Sequence, residues 1–210
     1  MLSEEKKHEF YRVNAGYESR SGLSDAFSKI IRAVPTHFGK HTNILKASSL
    51  DTPLGPMLAI ADERFLYLLE FLECRGLERE VERLCITTKS AIIAGTTDPI
   101  TSIQRELKLY FDGTLKIFET PIFLLGSPFQ KLAWEMLTLI PYGETRSYLA
   151  QAIQIGKPSA SRAVANANGA NQIAIVIPCH RIINSDGKLG GYGGGIGRKT
   201  WLLEHERKNK

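Results

Sequence analysis

Residues 173–192 read IAIVIPCHRIINSDGKLGGY, and the rest of the chain is organised around this stretch. The apolar run 173–177 predicts a short buried strand that ends at Pro178, because proline lacks the N–H group that a central ladder needs. Neighbouring side chains of a regular strand point to opposite faces, so Cys179 and His180 could cooperate only if the chain turns after Pro178. Such a turn would place a thiol and an imidazole in one cavity.

Glycines are frequent just after this stretch, at positions 190, 191, 193, 194, 195 and 197. Glycine lets the backbone pass close to a ligand without a side chain in the way. A lone cysteine is more often a small buried apolar residue than a nucleophile, and a glycine-rich loop is often only a connector. A nucleophile, a base and a glycine-lined wall in one short stretch together favour a reactive site.

The composition describes a soluble globular protein, with 210 residues of which 43% are hydrophobic and 23% charged. This length has room for one ordinary domain or two small ones. No apolar stretch is long enough to span a bilayer, and residues 1–10 lack the apolar core of a secretory signal. A cytoplasmic protein without membrane association is expected.

The chain has three cysteines, Cys74, Cys85 and Cys179, with no CxxC spacing. An odd number without a flanking histidine cluster predicts neither a disulfide framework nor a zinc site. No metal and no cofactor are expected. A reducing compartment would keep Cys179 as a thiol.

The net charge of +5 is unevenly distributed: residues 1–46 carry +3, residues 47–120 carry −4 and residues 121–210 carry +6. Basic ends around an acidic middle favour a polyanionic partner for the two ends. Charge alone is not decisive, because many solvated surfaces are mildly basic.

Residues 1–46 are predicted to be helical, with one helix over 4–15, a turn at Gly16 and a second helix that ends before Pro35. Two short helices joined by a tight turn fit either a DNA-binding helix-turn-helix or an ordinary helical hairpin. Geometry alone favours the hairpin.

Residues 47–120 are predicted to form a scaffold. Strands are expected at 57–61 and 65–71 with a turn at 62–64, followed by helices at 78–84 and 100–111. No catalytic triad, carboxylate pair or phosphate loop is present there.

Residues 121–210 predict helices at 129–140, 148–153 and 159–168, the last two forming a second helix-turn-helix. The helix SASRAVANAN has small side chains with Arg162 as its one long side chain. A major-groove reader normally presents several long polar side chains, whereas a smooth helix suits the shallow minor groove. The alternative is a buried alanine-packed helix, which Arg162 disfavours.

The segments PCHR, GGYGGG and WLLEHE together resemble the active-site signature of the O6-alkylguanine-DNA alkyltransferases. The segment NAGYESRSGLSDAFSKIIRAVPTHF resembles the second helix-turn-helix of AraC-type regulators. Bacterial Ada proteins join such a module to an alkyltransferase domain, and only part of the module is present here.

The resemblance implies an α+β fold in three parts. Residues 1–43 would be a partial AraC-type helix-turn-helix extension, and residues 44–120 a small RNase H-like subdomain of sheet and helices. Residues 121–210 would be a mostly helical, winged helix-turn-helix-like active domain.

The resemblance also implies direct reversal of DNA damage. A monomer in the bacterial cytoplasm, associated with the nucleoid, would bind duplex DNA in the minor groove and flip out O6-alkylguanine, or less well O4-alkylthymine. The alkyl group would move irreversibly to a cysteine of the protein in a single turnover.

Five catalytic residues follow from the resemblance. Cys179 would be the nucleophile, activated by His180 through a water and by Glu206, which orients the imidazole. Tyr148 would press the target phosphate and protonate guanine N3. Asn171 would tie the recognition helix to the active-site strand.

The remaining implied residues contact DNA or line the base pocket. Arg162 would fill the space of the flipped nucleotide, and the other DNA contacts would be Tyr148, Ser159, Ala160 and Ser185. The pocket would be lined by Tyr192, Ile182, Gly190, Gly193 and Gly194. Two positions depart from the pattern: Gly193 stands where some relatives have Ser, and Gln172 where many have Pro.

Two other functions are considered. Residues 1–40 with an alkylated Cys179 could form a transcriptional switch, but the regulator module is incomplete. A cysteine hydrolase would use Cys179 and His180, but the sequence shows no oxyanion-hole motif, and the Arg162 helix disfavours this alternative.

Overall fold

The computed structural model describes residues 43–210, and the predicted helices at 4–15 and before Pro35 lie outside this range. The described chain divides into two compact units. Unit 1 comprises residues 43–111 with Thr120–Phe123, and unit 2 comprises Asp112–Glu119 with Leu124–Lys210. The fold is α+β, and the finer division into 1–43, 44–120 and 121–210 stays a prediction.

Unit 1 is built on a four-stranded sheet in the order β3-β2-β1-β4. β1 pairs antiparallel with β2 and parallel with β4, and β2 pairs antiparallel with β3. The elements of unit 1 are β1 (Asn43–Leu50), β2 (Met57–Ala61), β3 (Leu66–Phe71), α1 (Leu77–Thr88), β4 (Ser90–Ala94) and α2 (Asp98–Phe111).

The two strands and two helices predicted for this region are confirmed to within a few residues, but β1 and β4 were not predicted. Residues 43–46, which the sequence placed in a helical segment, begin β1 instead. β4 follows α1 after a single residue, so no turn signal separates the two elements in the sequence. Pairing with β1 decides the extended form of both segments, and pairing partners cannot be read from local propensity.

The apolar core of unit 1 explains why its sheet forms. All five residues of β2 are buried, and α2 buries Ile100, Ile103, Leu107 and Tyr110 on one face. Spacings of three and four residues place such side chains on one helical stripe. Buried Glu106 of α2 accepts a hydrogen bond from Thr120 Oγ1 at 2.8 Å, so its polar end is satisfied.

Unit 2 is mostly helical. Its elements are α3 (Pro128–Thr138), β5 (Arg146–Ser147), α4 (Tyr148–Gln154), α5 (Ser161–Gly169), a 3-10 turn (Cys179–Arg181), β6 (Ile182–Ile183) and α6 (Ile196–Lys208). α3 begins with a capping box between Ser127 and Gln130. β5 and β6 form a short parallel pair.

Buried amides hold α3, α4 and α5 together. Gln151 of α4 donates to the Ala133 carbonyl of α3 at 2.9 Å and exchanges hydrogen bonds with Asn168 of α5. Trp134 Nε1 donates to the Ala167 carbonyl at 2.8 Å. A buried polar group without a hydrogen-bond partner destabilises the folded state, so these bonds fix the mutual placement of the three helices. No helix in the described range is long and apolar enough to cross a membrane.

Candidate active site

The segment before Cys179 is a turn, so the strand predicted over residues 173–177 is wrong. Ile177 N donates to the Ile173 carbonyl at 3.0 Å and Val176 N to the Ala174 carbonyl at 2.9 Å. Ile175 has φ of 71°, which is rare for a β-branched residue and gives the geometry of a γ-turn. An apolar run of this length fits a strand equally well, and the sequence gives no sign of a positive φ at isoleucine.

A second tight turn presents Cys179. Pro178 has φ of −83° and ψ of 61°, and Cys179 N donates to the Ile177 carbonyl at 2.8 Å, which together make an inverse γ-turn. The 3-10 turn Cys179–Arg181 follows directly. The predicted turn after Pro178 is therefore confirmed, although it begins several residues earlier than expected.

Asn171 holds this double turn in place. Its Oδ1 accepts from Ile173 N at 3.0 Å, and its Nδ2 donates to the Ile177 carbonyl at 2.9 Å. The same Nδ2 lies 3.4 Å from Cys179 Sγ. One buried amide thus replaces the missing strand ladder and touches the thiol.

His180 is fully buried and lies 2.8 Å, from Nε2 to Oε1, from the buried carboxylate of Glu206. An ionised carboxylate only accepts hydrogen bonds, so Nε2 carries the proton and Nδ1 keeps its lone pair. Nδ1 is buried and has no hydrogen-bond partner among residues 43–210. Nδ1 is therefore the ring atom that can accept a proton.

Glu206 is shared with Arg181. Arg181 Nε donates to Oε2 at 2.8 Å and an Arg181 terminal nitrogen to Oε1 at 3.0 Å, and Gly143 N donates to Oε2 at 3.0 Å. Burial raises the pKa of Glu206, but the hydrogen bonds and charges of His180 and Arg181 outweigh it and bring this pKa well below its ordinary value. Glu206 is a carboxylate at neutral pH.

The same environment keeps His180 neutral. Burial lowers the pKa of His180; the bond to Glu206 raises it, and the positive charges of Arg181 and Lys199 lower it further. The direction that results is downward. A neutral imidazole at physiological pH can act as a base.

A surface groove with a volume of about 440 Å³ lies on unit 2. Its lining includes Tyr148, Ser161, Arg162, Ser185, Gly190 and Gly191. Arg162 is exposed on α5 and has no ion pair or hydrogen-bond partner within the described chain. An unpaired guanidinium beside a groove suits an anionic or planar ligand.

Tyr148, the first residue of α4, is half-buried at this groove. Burial raises the pKa of Tyr148, and negative charge on Cys179 raises it further, so the phenol stays protonated. A Cβ atom at Gly190 would lie 2.6 Å from the Tyr148 hydroxyl. A side chain at position 190 would therefore displace the phenol, and glycine lets the loop pass beside it.

The other predicted DNA contacts lie near the groove or beside α5. Ser185 is exposed in a turn in which Asn184 N bonds the Lys188 carbonyl at 2.9 Å. Ser159 and Ala160 lie immediately before α5, and Ser159 is exposed.

Comparisons with known proteins agree on one family. Residues 128–208 match the family described as 6-O-methylguanine DNA methyltransferase, DNA binding domain. The methylated-DNA–protein-cysteine methyltransferase of Mycobacterium bovis is 44% identical over 159 residues, which cover 76% of this chain and 90% of that protein. The chain belongs to the methylated-DNA–protein-cysteine methyltransferase family. It is a DNA-repair methyltransferase.

Solved structures of this methyltransferase family have the same fold. The Mycobacterium tuberculosis O6-methylguanine methyltransferase matches with a TM-score of 0.68 and 41% identity, covering 79% of this chain and 94% of that one. A structure of Mycobacterium tuberculosis OGT in complex with DNA matches with a TM-score of 0.68 and 40% identity, covering 78% and 94%.

Four of the predicted pocket residues of the methyltransferase lie in β6 and in the loop before α6. The rings of Tyr192 and His180 meet edge to face with centroids 6.4 Å apart. Ile182 is buried in β6. Gly193 and Gly194 lie in the turn closed by the bond from Gly195 N to the Tyr192 carbonyl at 3.0 Å, just before α6.

Two further buried charged residues, Arg181 and Lys199, were given no role from the sequence. α6 buries Lys199, Leu202 and Glu206, which are three and four residues apart and so share one face. The charged sequence of α6 hides this stripe, and the spacing to Glu206 is the signal that could have found Lys199.

Proposed function

We propose that the protein repairs O6-alkylguanine in duplex DNA by moving the alkyl group onto Cys179 in a single turnover. The observation that carries the proposal is the joined placement of Cys179, His180 and Glu206 in the unit that also carries the groove lined by Tyr148 and Arg162. O4-alkylthymine would react more slowly. The working species is proposed to be a monomer.

DNA is proposed to bind along α4 and α5. The relative crystallised with DNA and the DNA-binding family matched by residues 128–208 support DNA as the partner. α5 offers small side chains with exposed Arg162 beside the groove, which favours the minor groove and insertion of one long side chain. Ser159, Ala160 and Ser185 would contact the DNA backbone.

Base flipping is required because the alkyl carbon lies inside the base stack. Extruding a nucleotide costs a few kcal/mol, which Arg162 would offset by filling the vacated space. The flipped base would enter beside Tyr148 and Gly190, with Tyr192, Ile182, Gly193 and Gly194 around it.

The transfer balances in protons and electron pairs. The Cys179 proton passes to His180 Nδ1, directly or through one water, and the thiolate attacks the alkyl carbon. The S–C bond forms, the C–O6 bond breaks, and its electron pair goes to the guanine ring. Tyr148 donates its phenolic proton to guanine N3. The protonated His180 then returns a proton to the Tyr148 phenolate.

The product explains the single turnover. A thioether has no leaving group that water can displace, so Cys179 is not regenerated. Asn171 would keep the thiol at the end of the double turn throughout the reaction.

The strand order supports the finer fold assignment. The order β3-β2-β1-β4, with β1 parallel to β4, supports an RNase H-like unit over 44–120. The α4–α5 pair beside the short β5–β6 pair supports a winged helix-turn-helix-like unit over 121–210.

Single-turnover stoichiometry tests the proposal. Purified protein is mixed with excess duplex carrying one O6-methylguanine, and the repaired strand is counted against the protein. We expect the count to stop at one guanine per protein and the intact mass to increase by one methyl group. Cys179→Ser should bind the duplex and repair none. Continued turnover, or repair by Cys179→Ser, would refute the proposal.

A further inference from the structure

Arg181 is buried next to His180, and each of its three side-chain nitrogens donates a hydrogen bond. Nε donates to Glu206 Oε2 at 2.8 Å, and one terminal nitrogen donates to Glu206 Oε1 at 3.0 Å. The other terminal nitrogen donates to the Ile140 carbonyl at 2.6 Å. The planar guanidinium therefore grips the carboxylate with two bonds, which fix the orientation of Glu206 as well as balance its charge.

The same carboxylate is the hydrogen-bond partner of the imidazole. Glu206 Oε1 lies 2.8 Å from His180 Nε2, so His180 and Arg181 bond one and the same oxygen. Glu206 Oε2 also accepts from Gly143 N at 3.0 Å. Ile140 and Gly143 both belong to the loop between α3 and β5, so this loop braces the guanidinium and the carboxylate together. Arg181 thus reaches His180 through a single carboxylate oxygen.

The charged and titratable groups around His180 and its carboxylate come from the 3-10 turn, α6 and two loops. They are Cys179 and Arg181 in the turn, Lys199 and Glu206 in α6, Tyr142 in the loop after α3 and Tyr192 in the loop before α6. Among them Glu206 favours a protonated imidazole, because an opposite charge within roughly 4–6 Å favours the charged form. Lys199 donates to backbone carbonyls, whereas Arg181 bonds the carboxylate itself.

We propose that Arg181 is a positioning residue, which holds Glu206 oriented and balanced in charge so that His180 stays neutral with its proton on Nε2. His180 Nδ1 then keeps the lone pair that accepts the Cys179 proton. Arg181 acts on His180 through Glu206. The inference rests on the proposed function for the role of His180 as a base, but its first test needs no DNA.

The first test is an NMR titration of the ¹⁵N-labelled histidine rings in the full chain. The ring nitrogen shifts distinguish a proton on Nε2, a proton on Nδ1 and the imidazolium, and the His180 signals are identified by their loss in His180→Asn. Arg181→Met removes the charge and the donors, whereas Arg181→Gln removes the charge and keeps an amide donor. Arg207→Met, at an exposed position next to Glu206 in the sequence, is the matched control.

The charge of Arg181 opposes protonation of His180, so its loss should raise the pKa of His180. We expect both Arg181 variants to raise the midpoint of the His180 titration by about one unit or more, since a nearby charge shifts a pKa by roughly one to three units. Arg207→Met should titrate like the wild type. A wild-type midpoint in Arg181→Gln would overturn the proposal. If Arg181→Met does not fold, Arg181→Gln alone decides.

Two further measurements test the step through the carboxylate. A double variant with Arg181→Met and Glu206→Gln removes both members of the buried pair, which proteins tolerate better than the loss of one. The upward shift should then vanish, because the carboxylate that favours the imidazolium is gone, and a shift that persists would overturn the proposal. In the unsubstituted chain, an imidazolium at pH 7 or a proton on Nδ1 would overturn it without any variant.

Repair of an O6-methylguanine duplex gives the functional readout. A protonated His180 cannot accept the Cys179 proton, so the acidic limb of the repair rate against pH should move upward in Arg181→Gln by the shift seen in the NMR titration. Slowing by one factor at every pH would show that Arg181 supports only the fold, and would overturn its positioning role. A protein that repairs no DNA but shows the NMR shifts would refute the proposed function and leave this inference standing.

Discussion

β2 of unit 1 buries five apolar residues, whereas the site in unit 2 buries four side chains that can carry a charge: His180, Arg181, Lys199 and Glu206. In the sheet, an apolar side chain of similar volume preserves most of the contacts, because dispersion and the hydrophobic effect are not directional. In the site, the polar atoms of Arg181 and Glu206 and the Nε2 of His180 have named partners at hydrogen-bond distance, whereas His180 Nδ1 has none within residues 43–210. The sheet of unit 1 and the site in unit 2 are equally buried, but they should not tolerate substitution equally well.

The largest loss of stability is expected from a substitution in the site that removes a charge and keeps the shape of the side chain. Glu206→Gln keeps the side-chain outline but leaves Arg181 without its buried carboxylate. Breaking a buried ion pair in this way costs about 3–5 kcal/mol. Urea unfolding followed by tryptophan fluorescence measures this loss in the free energy of unfolding, because both tryptophans, Trp134 and Trp201, lie in unit 2. A loss below about 1 kcal/mol would show that the cluster is not held by paired charge.

Arg162→Ala tests the groove side of the same site. Arg162 is exposed and makes no intramolecular bond in the described chain, so the fold should be unaffected. If it replaces the flipped nucleotide, duplex repair should slow by about 10- to 100-fold, because each 1.4 kcal/mol costs about tenfold in rate.

Two comparisons separate base flipping from general effects in this variant. Arg207→Ala, on the exposed face of α6, controls for the loss of one positive charge. Free O6-benzylguanine needs no flipping, so Arg162→Ala should react with it at the wild-type rate. Equal slowing on both substrates would show that Arg162 supports the thiolate or the fold.

Acid should destabilise unit 2 in two steps. The pKa of His180 is lowered from 6.5 in the folded state. Below pH 6.5 the unfolded chain therefore binds a proton at His180 that the folded chain does not bind, and the free energy of unfolding falls. The pKa of Glu206 is lowered from 4.5, which adds a second loss below pH 4.5. Each proton contributes a slope of about 1.4 kcal/mol per pH unit.

Urea unfolding at several pH values measures this dependence. Stability should fall from about pH 6.5 and fall more steeply below about pH 4.5, given the ordinary histidine and glutamate values. Glu206→Gln should lose the second step. A stability that is flat from pH 7 to pH 4 would contradict the assigned charge states.

Leu68→Met is the matching substitution in the apolar core of unit 1, and the smallest loss of stability is expected from it. Leu68 is fully buried in β3 opposite Ile60. A volume-conserving apolar exchange in a core usually costs less than about 1.5 kcal/mol. Far-UV circular dichroism during urea unfolding provides the measurement. A loss as large as that of Glu206→Gln would mean that the two cores do not differ in tolerance.

The sequence predicts the apolar regions better than the polar ones. The strand at 57–61 and the helices around 100–111 and 148–153 follow from periodicity and turn signals, because those signals are local. β1 and β4 were missed because each depends on its partner. The double turn at 173–178 was missed because its backbone is held by the side-chain amide of Asn171 and not by a neighbouring strand. The apolar pattern of residues 173–177 contains no sign of these hydrogen bonds.

The candidate site shows the same division. Cys179, His180 and Glu206 were predicted from the resemblance to the alkyltransferases, and the structure brings them together. The burial of Arg181 and Lys199 was not predicted, because charged residues are expected to be exposed. Their burial appears only when the carbonyls and the carboxylate that satisfy them are placed by the fold.

Peptide-resolved mass spectrometry after reaction with an O6-methylguanine duplex tests the central claim most directly. Burial raises the pKa of Cys85 to about 11, which makes its thiol unreactive, and Cys74 has no histidine-carboxylate pair beside it in the described chain. The account predicts one methyl group per protein, on Cys179, with Cys74 and Cys85 unmodified. A methyl group on Cys74 or Cys85 while Cys179 stays unmodified would contradict it.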